Sequence, residues 1–158
     1  MKSILIALLF SVYSINTLTA QRLEFLNEHY FQVYDTLVYE YSFIKVIHED
    51  SASLKTQIFR KKDKIKISQY TLIKDNNGVD KAELTLRFYD SGKLKYNCKK
   101  DFITNEEIIK EYYENGNPKS EISTSNEEVI SEKYFSESGE VRPKPIIKEA
   151  LPKDGLAG

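Results

Sequence analysis

"EYYENGNPKSE", residues Glu111 to Glu121, decides how the rest of the chain is read. Two aromatics run into a turn signal, Asn115-Gly116, and an alternating polar stretch follows. The phrase stands again on either side, as "LRFYDSGKLKY" (Leu86 to Tyr96) and "EKYFSESGEVR" (Glu132 to Arg142). Gly92 and Gly116 are 24 residues apart, and Gly116 and Gly139 are 23 apart. Glycine reaches positive φ without steric cost, so Gly92, Gly116 and Gly139 each close a tight turn. Asp90 and Asn115 carry side chains that brace such turns, and the aromatics before them stack across neighbouring strands. A hairpin of this kind cannot bury a face alone, so the copies must lie side by side. The third copy reads with one additional turn residue, Ser136-Glu137-Ser138 before Gly139.

The expected fold is therefore mostly β, with consecutive antiparallel hairpins forming a meander or short open repeat sheet. It covers residues 21–141, with repeats near 84–100, 108–123 and 129–141. Helix competes with strand over Thr104–Asn115, where Thr104 and Glu107 have the spacing of a helix cap. The repeat pattern decides for a strand from Ile108 to Tyr113. Upstream, Asn77-Gly78 is a strong hairpin signal. Ile65 and Ile67 alternate with Lys64 and Lys66 after the charged turn Lys61-Lys62-Asp63, as in a half-buried strand. From Leu23 to Ile47 the chain is aromatic-rich. Tyr39, Tyr41 and Phe43 share one parity and Val38, Ile44 and Val46 the other, which predicts a strand covered on both sides.

The ends differ in composition. Lys2 followed by the apolar run Ile4 to Ile15 and by "NTLTA" has the form of a secretory leader over residues 1–20, cut after Ala20. The run is short for a bilayer span, so membrane association is expected only if the leader stays uncleaved. Residues 142–158 hold three of the four prolines, Pro143, Pro145 and Pro152, and read as a linker or extended tail.

Charge and residue types exclude several functions. The formal net charge is −1 with the signs well mixed, which gives no basis for nucleic-acid binding. Cys98 is the only cysteine, so neither an intrachain disulfide nor a cysteine zinc site is expected, and its parity with Leu94 and Tyr96 makes it a small core residue. His29 and His48 lack a partner at metal-ligand spacing. The carboxylates of "NEEIIKEYYEN" read as a solvated face, and no nucleophile or phosphate-cradling motif is present. The chain is thus expected to be no enzyme and to need no cofactor or metal. Lysines in "RKKDKIKISQY" read as the water-facing side of a strand. Tyr89, Tyr113 and Tyr134 are the candidate partner-binding residues, because aromatics concentrate at binding hot spots; core packing is the alternative for each.

The copies around Gly92, Gly116 and Gly139 resemble MORN-variant repeats, an antitoxin-like family frequent in exported proteins of Gram-negative bacteria. Tyr112, Tyr113, Asn115 and Gly116 match that unit best, with Asn117 in place of its lysine. Phe88, Tyr89, Gly92 and Lys93 follow it with Ser91 for asparagine, and Tyr134, Phe135 and Gly139 match more loosely. The resemblance implies an exported interaction or scaffold module that binds a protein or cell-envelope component, in the periplasm, on the surface or secreted. The layout also resembles the leading part of TonB-family proteins, with "IIKEALPKDGLAG" (Ile146 to Gly158) similar to the entry into their C-terminal domain. This implies, as the alternative, a component of an energy-transducing transport system without that domain.

Overall fold

The computed structural model describes residues 20–34, 36 and 40–145. Eleven strands, and among the described residues no helix, form one open antiparallel sheet. They are β1 (Ala20–Leu26), β2 (Gln32–Val33), β3 (Phe43–Glu49), β4 (Ser53–Arg60), β5 (Lys66–Lys74) and β6 (Asp80–Phe88). The series continues with β7 (Leu94–Asp101), β8 (Glu106–Tyr112), β9 (Pro118–Ser125), β10 (Glu128–Phe135) and β11 (Val141–Arg142). From β3 to β11 the strands pair in chain order; at the other edge β1 lies between β3 and β2. This is the meander of consecutive hairpins that the repeat predicts, and the segment from Ile108 is strand, not helix.

The register aligns side chains into rows that cross the whole sheet. Glu24, Lys45, Ile58, Ser68, Arg87, Tyr96, Glu111, Ser120, Tyr134 and Arg142 are successive cross-strand partners. Two residues further along each strand, and so on the same face, runs Arg22, Ile47, Thr56, Tyr70, Thr85, Cys98, Ile109, Ile122 and Glu132. Among the described residues the buried apolar side chains are few: Leu26, Ile47, Ala82 and Cys98. Most strand residues are only half buried, so cohesion comes from the backbone ladder and direct cross-strand pairs. Glu24 and Lys45 form one such pair at 2.8 Å, and Glu24 is itself buried. Cys98 is buried as its parity implies, its Sγ 3.1 Å from a Glu107 carboxylate oxygen.

Three expectations need correction. The aromatic segment Leu23–Ile47 is not one strand. Asn27 accepts hydrogen bonds on its side chain from the backbone N–H of His29 and of Phe31, which turns the chain before β2. Tyr41 lies ahead of β3, its ring 4.7 Å from that of Phe25; Val38 and Tyr39 lie outside the described residues. The third copy carries no additional turn residue. Ser136–Glu140 closes with the same two backbone bonds as Tyr89–Lys93 and Tyr113–Asn117, and Ser136 stands where those copies have a tyrosine. Its aromatic pair, Tyr134-Phe135, is displaced by one position. Arg142, expected to begin the tail, pairs with Tyr134 in β11, and Lys144 reaches Glu132 at 2.9 Å. Prolines are tolerated there because they follow β11, which is an edge strand among the described residues. The leader lies outside the described residues except Ala20, the first residue of β1, as does the segment from Ile146 onward.

Candidate interaction site along the turn edge

In an antiparallel meander alternate turns share one end of the sheet, and here that end is built by repetition. The turn Tyr89–Lys93 has Gly92 N–H donating to the Tyr89 carbonyl and Tyr89 N–H to the Lys93 carbonyl. Tyr113–Asn117 and Ser136–Glu140 repeat both bonds, with Gly92, Gly116 and Gly139 at φ 82°, 96° and 92°. This is a three-residue hairpin loop whose last residue must be left-handed. Asn27–Phe31 makes the same turn at the same end, but its left-handed residue is Tyr30, at φ 64°.

Between Arg60 and Ile65 lies a fifth member of the row, the charged turn Lys61-Lys62-Asp63 of the sequence, whose kinship with the glycine copies the sequence did not reveal. Its turn is one residue longer, and its left-handed residue is Lys64, at φ 60°, so no glycine marks it. The strands on either side betray the kinship. The return strands β5, β7 and β9 each skip one residue after the turn, Ile67, Lys95 and Lys119, while β11 pairs without a skip. That register equates Arg60 with Tyr89, Tyr113 and Ser136, and Phe59 with Phe88, Tyr112 and Phe135.

The equated positions perform one task. The Tyr89 hydroxyl donates to the Tyr112 carbonyl at 2.6 Å, and the Tyr113 hydroxyl to the Phe135 carbonyl at 2.9 Å. Arg60, at the same position one hairpin earlier, donates to the Asp90 carbonyl at 3.2 Å and pairs with its carboxylate at 2.9 Å. Asn115 and Asn117 add side-chain bonds to the Glu137 carbonyl. Each hairpin thus holds the backbone of the next. The final copy has Ser136, 2 % exposed, and its hydroxyl turns back to its own loop, accepting from Glu140 N–H. Tyr89 and Tyr113, candidates for a partner, therefore spend their hydroxyls inside the molecule. Among the described residues the Tyr134 hydroxyl has only Glu132, at 3.4 Å, and Tyr134 is half buried.

Besides a depression of about 350 Å³ among Tyr41, Ser42, Phe43, Arg60 and Lys61, two grooves open along this edge on the face of the Glu24–Arg142 row. The first, of about 450 Å³, is lined by Arg60, Ile67, Ser68, Arg87, Phe88 and Lys95, with Tyr30, Phe43 and Asp90. The second, of about 280 Å³, is lined by Tyr113, Lys119, Ser120, Tyr134, Phe135 and Arg142, with Glu111 and two prolines. Taken in order, the first six residues of each occupy equivalent repeat positions. The N-terminal groove lies between hairpins β4–β5 and β6–β7, the C-terminal one between β8–β9 and β10–β11. A third groove, about 470 Å³, lies at the opposite end among Lys100, Glu107, Asn126 and Glu127 and has no aromatic wall.

The two edge grooves differ in chemistry. Lys119 pairs with Glu111 at 3.4 Å in the C-terminal groove. In the N-terminal groove Arg60 is held by Asp63 and Asp90, and its hydrogen bond keeps the Asp63 carboxyl below the usual carboxylate range. Among the described residues Arg87 and Lys95 have no ion-pair partner. Each lies over a tyrosine instead, Arg87 Cζ 5.2 Å from the Tyr96 centroid and Lys95 Nζ 5.4 Å from that of Tyr89. Tyr30 stacks on Phe43 with centroids 4.6 Å apart, and Phe31 beside it is 70 % exposed. These exposed N-terminal aromatics were not among the sequence candidates; the left-handed Tyr30 follows no glycine signal and could be found only in the fold.

The chain matches no protein-family model, and no curated protein matches it. Among the described residues no group of His, Cys, Asp or Glu is arranged to hold a metal ion, and no helix is long and apolar enough to cross a membrane.

Proposed function

We propose that this protein is an exported, non-enzymatic β-repeat module that holds a partner protein of the bacterial cell envelope on its turn edge. The observation that carries this reading is the paired groove. Equivalent positions of alternate hairpins build a lined depression twice on one face, between hairpins that side-chain donors lock together. Repetition of this kind yields a rigid, extended binding surface without a catalytic centre. Exposed aromatics and arginine beside the N-terminal groove are the residue types that dominate binding energy at interfaces. The leader-like start and the MORN-variant resemblance of the three glycine turns support export and an interaction role.

A photo-crosslinking residue tests the reading. Placed at Phe31, on the turn edge, it should capture a cell-envelope protein; placed at Val79, exposed at the opposite end, it should not. Equal capture at both positions, or none at Phe31, would contradict it.

A further inference from the structure

We propose that the N-terminal groove binds a peptide segment in which a carboxylate side chain adjoins an apolar one; this rests on the reading of the chain as an interaction module. Charge complementarity is the first ground. Arg87 and Lys95 face the groove without an ion-pair partner among the described residues, while the neighbouring cation, Arg60, is already occupied by Asp63 and Asp90. Arginine over an aromatic ring keeps its planar fork oriented for a carboxylate, so little freedom is lost on binding. The second ground is the lining between these charges. Ile67, Phe43 and Phe88 offer apolar contact, and Ser68 and Tyr30 supply the groove's uncharged hydroxyls. A sugar would need more uncharged hydrogen-bonding partners than two hydroxyls provide, whereas an acidic residue next to Leu or Phe fits the lining directly.

The third ground is backbone strain in one lining residue. Four turns of the Asn27–Phe31 type carry glycine at the left-handed position, Gly78, Gly92, Gly116 and Gly139; this one carries Tyr30, at φ 64° and 53 % exposed. A bulky residue there is strained, and such strain clusters at binding sites. What the chain obtains is an aromatic ring stacked on Phe43 at the groove wall.

The test is a titration of the full chain with a capped Glu-Leu-Glu-Leu peptide, followed by backbone amide shifts in nuclear magnetic resonance. Shifts should concentrate around Tyr30, Phe43, Ser68, Arg87 and Lys95, and the Gln-Leu-Gln-Leu analogue should bind at least about tenfold more weakly. Replacing both Arg87→Gln and Lys95→Gln should weaken the acidic peptide similarly without moving the unfolding midpoint, while Lys119→Gln leaves binding unchanged. Tyr30→Gly should lower affinity while leaving the unfolding midpoint the same or higher, which a purely structural tyrosine would not do. No binding, shifts spread over the whole sheet, or equal affinity for the two peptides would overturn the proposal. Tighter binding of tetragalacturonate than of the peptide would overturn it too, in favour of an acidic sugar. A partner captured at Phe31 that holds the Arg87→Gln, Lys95→Gln chain as tightly as the parent would refute the groove assignment alone. Peptide bound in the groove with no partner captured would uphold the assignment and refute the interaction reading.

Discussion

Where the N-terminal groove has Arg87 and Lys95, the C-terminal groove has Tyr134 and Arg142 at equivalent positions, and where the first has Ile67 the second has Lys119. Backbone architecture is shared and the chemistry is not. In the C-terminal groove Lys119 finds Glu111 across the sheet, and the prolines that follow β11 line one wall. In the N-terminal groove the cations rest on tyrosine rings and a strained tyrosine forms the wall. The comparison teaches that a repeated hairpin sets the shape of a site, while the residues that vary between copies set what it can hold. In the last described copy Ser136 stands where the preceding hairpins carry a tyrosine or arginine that reaches the next.

The largest effect should come from the turns themselves. Gly116→Val places a β-branched residue at φ 96° and should cost more than about 1 kcal/mol in urea unfolding. Gly92→Val, at φ 82°, should cost about as much, its Cβ making only ordinary van der Waals contact with Ile65 at 3.6 Å. If valine at either glycine left the unfolding midpoint in place, the two grooves would not share a turn geometry. Next comes the contact between hairpins. Tyr113→Phe keeps the ring and removes the bond to Phe135, and should cost about 0.5–1.5 kcal/mol.

Titration separates two buried groups on the same face of the sheet. Burial, then the bond to the Glu107 carboxylate, pushes the Cys98 thiol up to about 11. Because the folded value is raised, its contribution to stability is complete below the ordinary value of 9.0 and is lost as pH rises through about 11. Native thiol alkylation at pH 8 should therefore be slow and become fast in denaturant. In β1, the Lys45 hydrogen bond holds the Glu24 carboxyl below its ordinary value of 4.5. That contribution is complete above 4.5 and fades as acid protonates the folded group. Glu24→Gln should flatten the acid limb of the stability profile. The smallest effect belongs to the exposed Lys144–Glu132 pair: Lys144→Ala should leave the unfolding midpoint unmoved.

Period-two alternation and the glycines at 92, 116 and 139 made the hairpins legible in the sequence, because few other residues take a left-handed turn without strain. The same rule hid what departs from it. Lys64 and Tyr30 stand left-handed without glycine, so the turn at Lys61-Lys62-Asp63 showed no kinship with the glycine copies, and the wall of the N-terminal groove left no local signal. The displaced aromatic pair Tyr134-Phe135 looked like a longer turn because aromatic count, not register, was being matched. Tyr89 and Tyr113 were legible as important aromatics. That their hydroxyls reach the next hairpin depends on packing between residues 22 or 23 positions apart, which no local pattern encodes.

The claim on which the comparison rests is that one side-chain position in each hairpin ties it to the next. Hydrogen exchange measured on Tyr113→Phe and Tyr134→Phe tests this within a single molecule, since both changes remove one tyrosine hydroxyl from the same groove. Tyr113→Phe should speed exchange of β10 and β11 and leave β3 to β6 as in the parent, while Tyr134→Phe, whose hydroxyl meets only Glu132 among the described residues, should change neither. Equal acceleration by the two variants, or none by Tyr113→Phe, would contradict the account.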